Sequence, residues 1–158
     1  MKINNAFRIK AGEFLASVRE CNQCNSIILV ESYFRPPAFR IAEYVFYGVL
    51  RLIASKRSQT LTLGLSQLRA LHWEKYLQSQ HLSTKYLDVV SACENISHAR
   101  AATKLYLDQQ RFDLRESEPL SQIYTGRKNA YYDELLSYAS AVLSTRLARS
   151  RHSQPTIQ

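Results

Sequence analysis

Residues 27–34 read IILVESYF, a run in which one carboxylate follows four apolar side chains. Asn25 or Ser26 offers an N-cap before the run, and the prolines at 36–37 stop a helix behind it. The pattern predicts a short helix that carries Glu31 near its C-terminal end. Burial beside apolar groups raises the pKa of a carboxyl group, which can then hold a proton near neutral pH. Glu31 is therefore a candidate catalytic acid, although a lone glutamate is more often a solvated helix residue.

The chain on both sides of this run predicts further helices and one hairpin. Apolar periodicity and helix start and stop signals predict helices over Ala6–Arg19, Ala38–Ala54, Ser66–Ser79, Ser83–Cys93, Ile96–Gln109 and Asn129–Ala148. Residues 58–65, SQTLTLGL, alternate threonine with leucine and are the one good strand signal. The expected fold class is α+β and predominantly α, with about six to eight helices and a small β-hairpin.

Length and composition predict one domain. The chain has 158 residues and 46% apolar content, which suffices for one compact core and not for two. We assign residues 1–148 to a single domain and residues 149–158 to a flexible basic and polar tail. No apolar run approaches the roughly 20 residues of a membrane span, and the N-terminus lacks the apolar core of a classical signal peptide.

Residues 38–54 predict an amphipathic helix. Its apolar face carries Phe39, Ala42, Phe46, Val49 and Ile53. Its polar face carries Arg40, Glu43, Tyr47 and Arg51. We expect the apolar face to pack on the domain core, which is a more frequent arrangement than docking to a membrane or a partner.

Four short segments follow one another in an order known from one superfamily. They are Glu31-Ser32, the stretch LGLSQL at 63–68, Asn95-Ile96 and the stretch YTG at 124–126. This order resembles the pattern of the lytic transglycosylases, which belong to the lysozyme-like superfamily: an apolar run ending in E-S, then G-L-M-Q, N-I-x-x-(G/A) and Y-N-x-G. Goose-type lysozymes share much of it. The resemblance covers residues 25–143, and its specificity lies in the combination of motifs.

The resemblance implies a role for each matching residue. Glu31 would be the catalytic acid/base, and the residues beside the bound glycan would be Ser32, Gly64, Gln67 and Tyr124, with Tyr124 close to the carboxylate. Asn95 would hold a helix start beneath the site. Residues 62–67 also resemble the T-x-G-x-G-H strand of phage-type lysozymes, so Thr62 would touch substrate or water, or else lie on the outer face of the hairpin. Ser66 and Thr125 stand where the family has methionine and asparagine.

The number of carboxylates bears on the type of reaction. Glu43 is the only acid between Ser32 and Gln67, and we expect it on the polar face of the 38–54 helix, away from the hairpin. A site with one carboxylate fits a lytic transglycosylase better than a hydrolase, which uses two acids. The resemblance thus implies cleavage of the β-1,4 bond between N-acetylmuramic acid and N-acetylglucosamine, with 1,6-anhydro products. A lysozyme-type muramidase is the alternative.

A formal net charge of +8, from 21 Lys and Arg against 13 Asp and Glu, favours a polyanionic partner. A basic helical nucleic-acid-binding module is the main non-enzyme alternative, but no helix-turn-helix, zinc or RNP signature supports it. The resemblance instead implies peptidoglycan glycan strands, met in the periplasm or cell wall. An inactive version of such a fold could serve as a structural part of a secretion system or phage tail.

The cysteines and histidines predict no metal or other cofactor. Cys21 and Cys24 form a lone C-x-x-C, and neither Cys93 nor the 4 histidines supply a matching second pair of ligands. We interpret the pair as small apolar residues beside a helix, open to oxidation outside the cytoplasm.

Overall fold

The computed structural model describes residues 22–113 and 118–152. This part of the chain holds α1 (Asn22–Phe34), α2 (Pro37–Ile53), α3 (Ser55–Ser58), β1 (Thr62–Leu63), β2 (Leu68–Arg69), α4 (Ala70–Ser79), α5 (Tyr86–Glu94), α6 (Ile96–Asp113), α7 (Leu120–Thr125) and α8 (Ala130–His152). The α+β, predominantly α class with a small hairpin is confirmed. The helix predicted over Ala6–Arg19 lies outside the described residues.

Helix α1 is the centre of the core. Its residues 27–30 are all buried, because α8 and α6 pack around it. A helix that is apolar on every side must be surrounded in this way, which explains the unbroken apolar run before Glu31. Trp73 of α4 is also fully buried, and its Nε1 donates to the carbonyl oxygen of Leu63 over 3.1 Å. The core therefore joins α1 to the hairpin.

The hairpin is shorter than the sequence predicts. Thr62 pairs with Arg69 and Leu63 with Leu68 in an antiparallel register, while residues 55–58 form α3. The helix predicted from Ser66 begins only at Ala70, because Leu68 is buried opposite Leu63 as a strand residue. Two facing leucines on the core side hold this register better than a helical turn, which would carry one of them into solvent.

Helix α2 packs on the protein with the side opposite to the one predicted. Its polar side faces the protein: Arg40 pairs with Glu94 over 2.8 Å, and Arg51 donates to the carbonyl oxygen of Thr84 over 2.6 Å. Its apolar residues are exposed instead. The reason is that arginine stems and the rings of Tyr44 and Tyr47 supply the apolar contact on the inner side, while hydrogen bonds satisfy the polar ends.

Three further features bear on the sequence predictions. Helix α8 runs to His152, so the boundary predicted at Ala148 falls inside a helix. Cys24 is disulfide-bonded, whereas Cys93 is a buried free thiol. Among the described residues, none of the helices is long and apolar enough to cross a membrane.

Candidate active site

A cleft of about 480 Å³ lies where the C-terminal end of α1 meets the hairpin. It brings together Glu31, Thr62, Gln67 and Tyr124, which the resemblance implies to share a site. Residues from α4, α6 and α7 complete the walls. The cleft is open and mostly polar, which suits a hydrated ligand better than a small apolar one.

Glu31 is the half-buried carboxylate of this cleft. Burial raises its pKa above the ordinary value of 4.5, and this effect outweighs the opposing hydrogen bond from Tyr132 and the nearby charge of Arg35. The negative charge of Glu43 raises the pKa of Glu31 further. A carboxyl group with a raised pKa at the edge of a polar cleft can donate a proton and take one back.

Tyr132, on α8, is the nearest partner of Glu31. Its hydroxyl donates to Oε1 of Glu31 over 2.5 Å. No local sequence signal predicts this contact, since Tyr132 lies in a helix with neighbouring aromatic residues and is equally compatible with a core position. Only the packing of α8 on α1 reveals it.

Tyr124 is a buried residue at the edge of the same cleft, and it joins α7 to the hairpin loop. Its hydroxyl donates to the carbonyl oxygen of Ser66, and its ring meets that of Tyr106 edge to face at 5.8 Å between centroids. Burial, together with the charge of Glu31, holds the pKa of Tyr124 well above its ordinary range. Tyr124 therefore acts as a neutral hydrogen-bond donor that fixes the wall beside the carboxylate.

Gln67 is the centre of a hydrogen-bond network on the hairpin. Its Nε2 donates to the carbonyl oxygen of Gly64 and to Oε2 of Glu43, each over 3.0 Å. Its Oε1 accepts from the hydroxyl of Thr62 over 3.0 Å. The prediction that Glu43 lies away from the hairpin was wrong, because the polar side of α2 faces inward and presents this carboxylate to Gln67. The other oxygen of Glu43 pairs with Arg35 at 2.8 Å.

Two predicted site residues lie outside the cleft wall. Ser32 is fully buried, and its hydroxyl donates to the carbonyl oxygen of Leu29 over 3.4 Å, so it faces the core and not a ligand. Gly64 packs against the end of α5, where a Cβ would come within 2.6 Å of the Cys93 carbonyl oxygen. Its φ of +77° is in the left-handed region that favours glycine. Gly64 thus shapes the loop that positions Gln67.

The remaining two motif residues make local hydrogen bonds at helix ends. Oδ1 of Asn95 accepts from the backbone amides of Ser97 and His98, which caps the start of α6 as the resemblance implies. The hydroxyl of Thr125, which stands where the resembled pattern has asparagine, donates to the carbonyl oxygen of Ser121 over 2.7 Å. Thr125 also lines the cleft.

The cleft has basic and aromatic walls that the sequence did not single out. Arg35, Arg69, His72 and Tyr106 all line it. Burial and the neighbouring charges of Lys75 and Arg69 lower the pKa of His72, which favours its neutral form. Three other aromatic residues do not line it: Trp73 and Tyr76 are buried in the core, and Tyr131 is exposed on α8.

The described residues contain no group of three or more His, Cys, Asp or Glu side chains that could hold a metal ion. Comparison with protein-family models, with curated proteins and with solved structures finds no match to this chain.

Proposed function

We propose that this chain cleaves peptidoglycan glycan strands in the cell wall as a lytic transglycosylase of the lysozyme-like superfamily. The observation that carries the proposal is the setting of Glu31. It has a pKa raised by burial, lines a polar cleft, and lies beside the hairpin that supplies Thr62 and Gln67. A protonated carboxyl group at the edge of a polar cleft supports general acid/base cleavage of a glycosidic bond.

Each proton has a defined path in the proposed reaction. The protonated carboxyl of Glu31 gives its proton to the glycosidic oxygen as the bond from that oxygen to C1 of N-acetylmuramic acid breaks. The 6-hydroxyl of the same sugar then attacks C1, and its proton returns to the Glu31 carboxylate. The products are a 1,6-anhydro-muramyl end and a free 4-hydroxyl on N-acetylglucosamine. Tyr132 donates to the carboxylate while it is charged.

The position of Glu43 supports ring closure over hydrolysis. A hydrolase needs a second carboxylate that is free to act on water or on the sugar. Both oxygens of Glu43 are engaged, one by Arg35 and the other by Gln67. An intramolecular hydroxyl, in contrast, is held next to C1 by the sugar itself and has a large effective-molarity advantage over water.

Mass analysis of the soluble products after digestion of purified peptidoglycan tests this function. We expect muropeptides that end in 1,6-anhydro-N-acetylmuramic acid, lighter by one water than hydrolysis products and without new reducing ends. Mainly reducing-end products would identify a muramidase in which Glu31 still acts as the acid. No release of muropeptides would contradict both the transglycosylase and the muramidase function and favour a binding or structural role.

Glu31→Gln isolates the proton transfer, because glutamine is nearly isosteric and cannot supply the proton. We expect the rate of lysis to fall by about 10²-fold or more, the size typical of general acid/base catalysis. Glu134→Gln is the matched control, since it makes the same chemical change on the exposed side of α8. Retention of more than about a tenth of the activity in Glu31→Gln would refute the assignment.

A further inference from the structure

Helix α2 exposes only apolar residues. Its outward side carries Phe39, Ile41, Val45, Phe46, Val49 and Leu52, which we call the α2 apolar face. Leu52 is 88% exposed and Phe39 is 63% exposed, and no charged or polar side chain interrupts the face. Contiguous apolar surface of this kind marks a site of interaction, whereas single exposed apolar residues do not.

The face cannot turn inward, because the opposite side of α2 is fastened to the protein. Arg40 pairs with Glu94, and Arg51 donates to the carbonyl oxygen of Thr84. Gly48 leaves room for the ring of Tyr86, which a Cβ at that position would approach to 3.0 Å. The apolar side is therefore held outward by contacts that would all have to break if the helix rotated.

The exposed charges that this segment itself carries are positive. Lys56 and Arg57 are exposed on α3, directly after the end of α2. Glu43 is the only acid between residues 34 and 58, and it points inward to Arg35 and Gln67. The exposed surface of this segment thus combines an apolar face with a basic end, and it presents no acidic side chain of its own.

We propose that the α2 apolar face docks on the surface of an anionic phospholipid bilayer. The helix lies parallel to the membrane, its aromatic and aliphatic side chains enter the headgroup boundary, and Lys56 and Arg57 contact lipid phosphates. Amphipathic helices with this division of apolar and basic groups bind membranes in this way. A second copy is a poorer occupant, because a two-fold pairing would bring basic ends to faces without an exposed acid.

Vesicle sedimentation with the full chain tests the proposal. The probe is vesicles of phosphatidylcholine and phosphatidylglycerol in equal amounts, with pure phosphatidylcholine vesicles for comparison. We expect binding to the anionic vesicles that weakens as salt is added. The double variant Phe46→Ser with Val49→Ser should bind at least about tenfold more weakly, and each of Lys56→Gln and Arg57→Gln about fivefold more weakly.

Phe112→Ser is the matched control, because Phe112 is 93% exposed but belongs to a different surface. Its neighbour Arg111 contacts Gln23 at the start of α1, roughly 17 Å along that helix from its C-terminal end, which is the end that leads into α2. This control should bind vesicles like the wild type, and so should Glu31→Gln, which separates the proposal from the proposed activity. Absence of binding to anionic vesicles would overturn the proposal. So would unchanged binding of the Phe46 and Val49 variant, or a dimer in light scattering that this variant dissociates.

Discussion

The hydroxyl of Tyr132 donates a hydrogen bond to Oε1 of Glu31 over 2.5 Å, which links α8 to α1 across the core. Because the phenol donates to the charged form of the carboxyl group, this bond lowers the pKa of Glu31, while burial raises it and is the larger effect. Burial and the hydrogen bond from Tyr132 therefore act on the pKa of Glu31 in opposite directions. The pKa is raised overall, and the Tyr132 hydroxyl is in place to stabilise the carboxylate when the proton leaves.

Tyr132→Phe should move the pH dependence of lysis. Without the hydrogen bond the pKa of Glu31 rises further, so the carboxyl group stays protonated to higher pH and the alkaline limb of the activity profile shifts upward. The rate at the optimum should fall, because the carboxylate that takes the proton back has lost its donor. Lysis rates across a pH series measure both effects. Tyr131→Phe, on the exposed side of the same helix, should leave the profile unchanged.

Glu31→Gln should make the protein more stable at higher pH. Since the pKa of Glu31 in the folded state is raised above 4.5, its stabilising contribution is complete below that value and is lost as the pH rises through the raised pKa. Glutamine carries no charge at any pH. The variant and the wild type should therefore unfold at similar temperatures near about pH 4, and the variant at a higher temperature near about pH 8. A difference that shrinks with rising pH would contradict the assigned direction of the pKa shift.

The sequence predicted the parts of the site that depend on local order and missed those that depend on packing. The apolar run before Glu31 predicts a short helix, and the threonine and leucine alternation predicts the hairpin, because each signal lies within a few residues. The contact between Tyr132 and Glu31 spans 101 positions and has no local signature. The orientation of α2 was predicted wrongly. Periodicity identifies an apolar and a polar face, but it does not show that the polar face has hydrogen-bond and ion-pair partners inside the protein.

Gly64→Ala should destabilise the protein more than Gly126→Ala. Both glycines have positive φ, at 77° and 76°, so each substitution carries a conformational penalty of about 1–2 kcal/mol. At Gly64 the added Cβ also meets Cys93 at 2.6 Å, whereas at Gly126 it meets nothing within 4 Å. The backbone must shift at Gly64, which brings its total cost to about 3 kcal/mol or more. Urea unfolding of the two variants measures the difference, and equal losses would show that the loop moves freely.

Glu43→Gln distinguishes a positioning role from a second catalytic carboxylate. Its negative charge raises the pKa of Glu31, and its loss also leaves Arg35 unpaired, so the alkaline limb of the lysis profile should shift to lower pH, opposite to Tyr132→Phe. Glutamine keeps an oxygen that can accept from Gln67, so we expect the maximal rate to fall by no more than about tenfold, against about 10²-fold or more for Glu31→Gln. Glu134→Gln again serves as the control. A loss as large as that of Glu31→Gln, together with reducing-end products from the wild type, would make Glu43 the second carboxylate of a hydrolase.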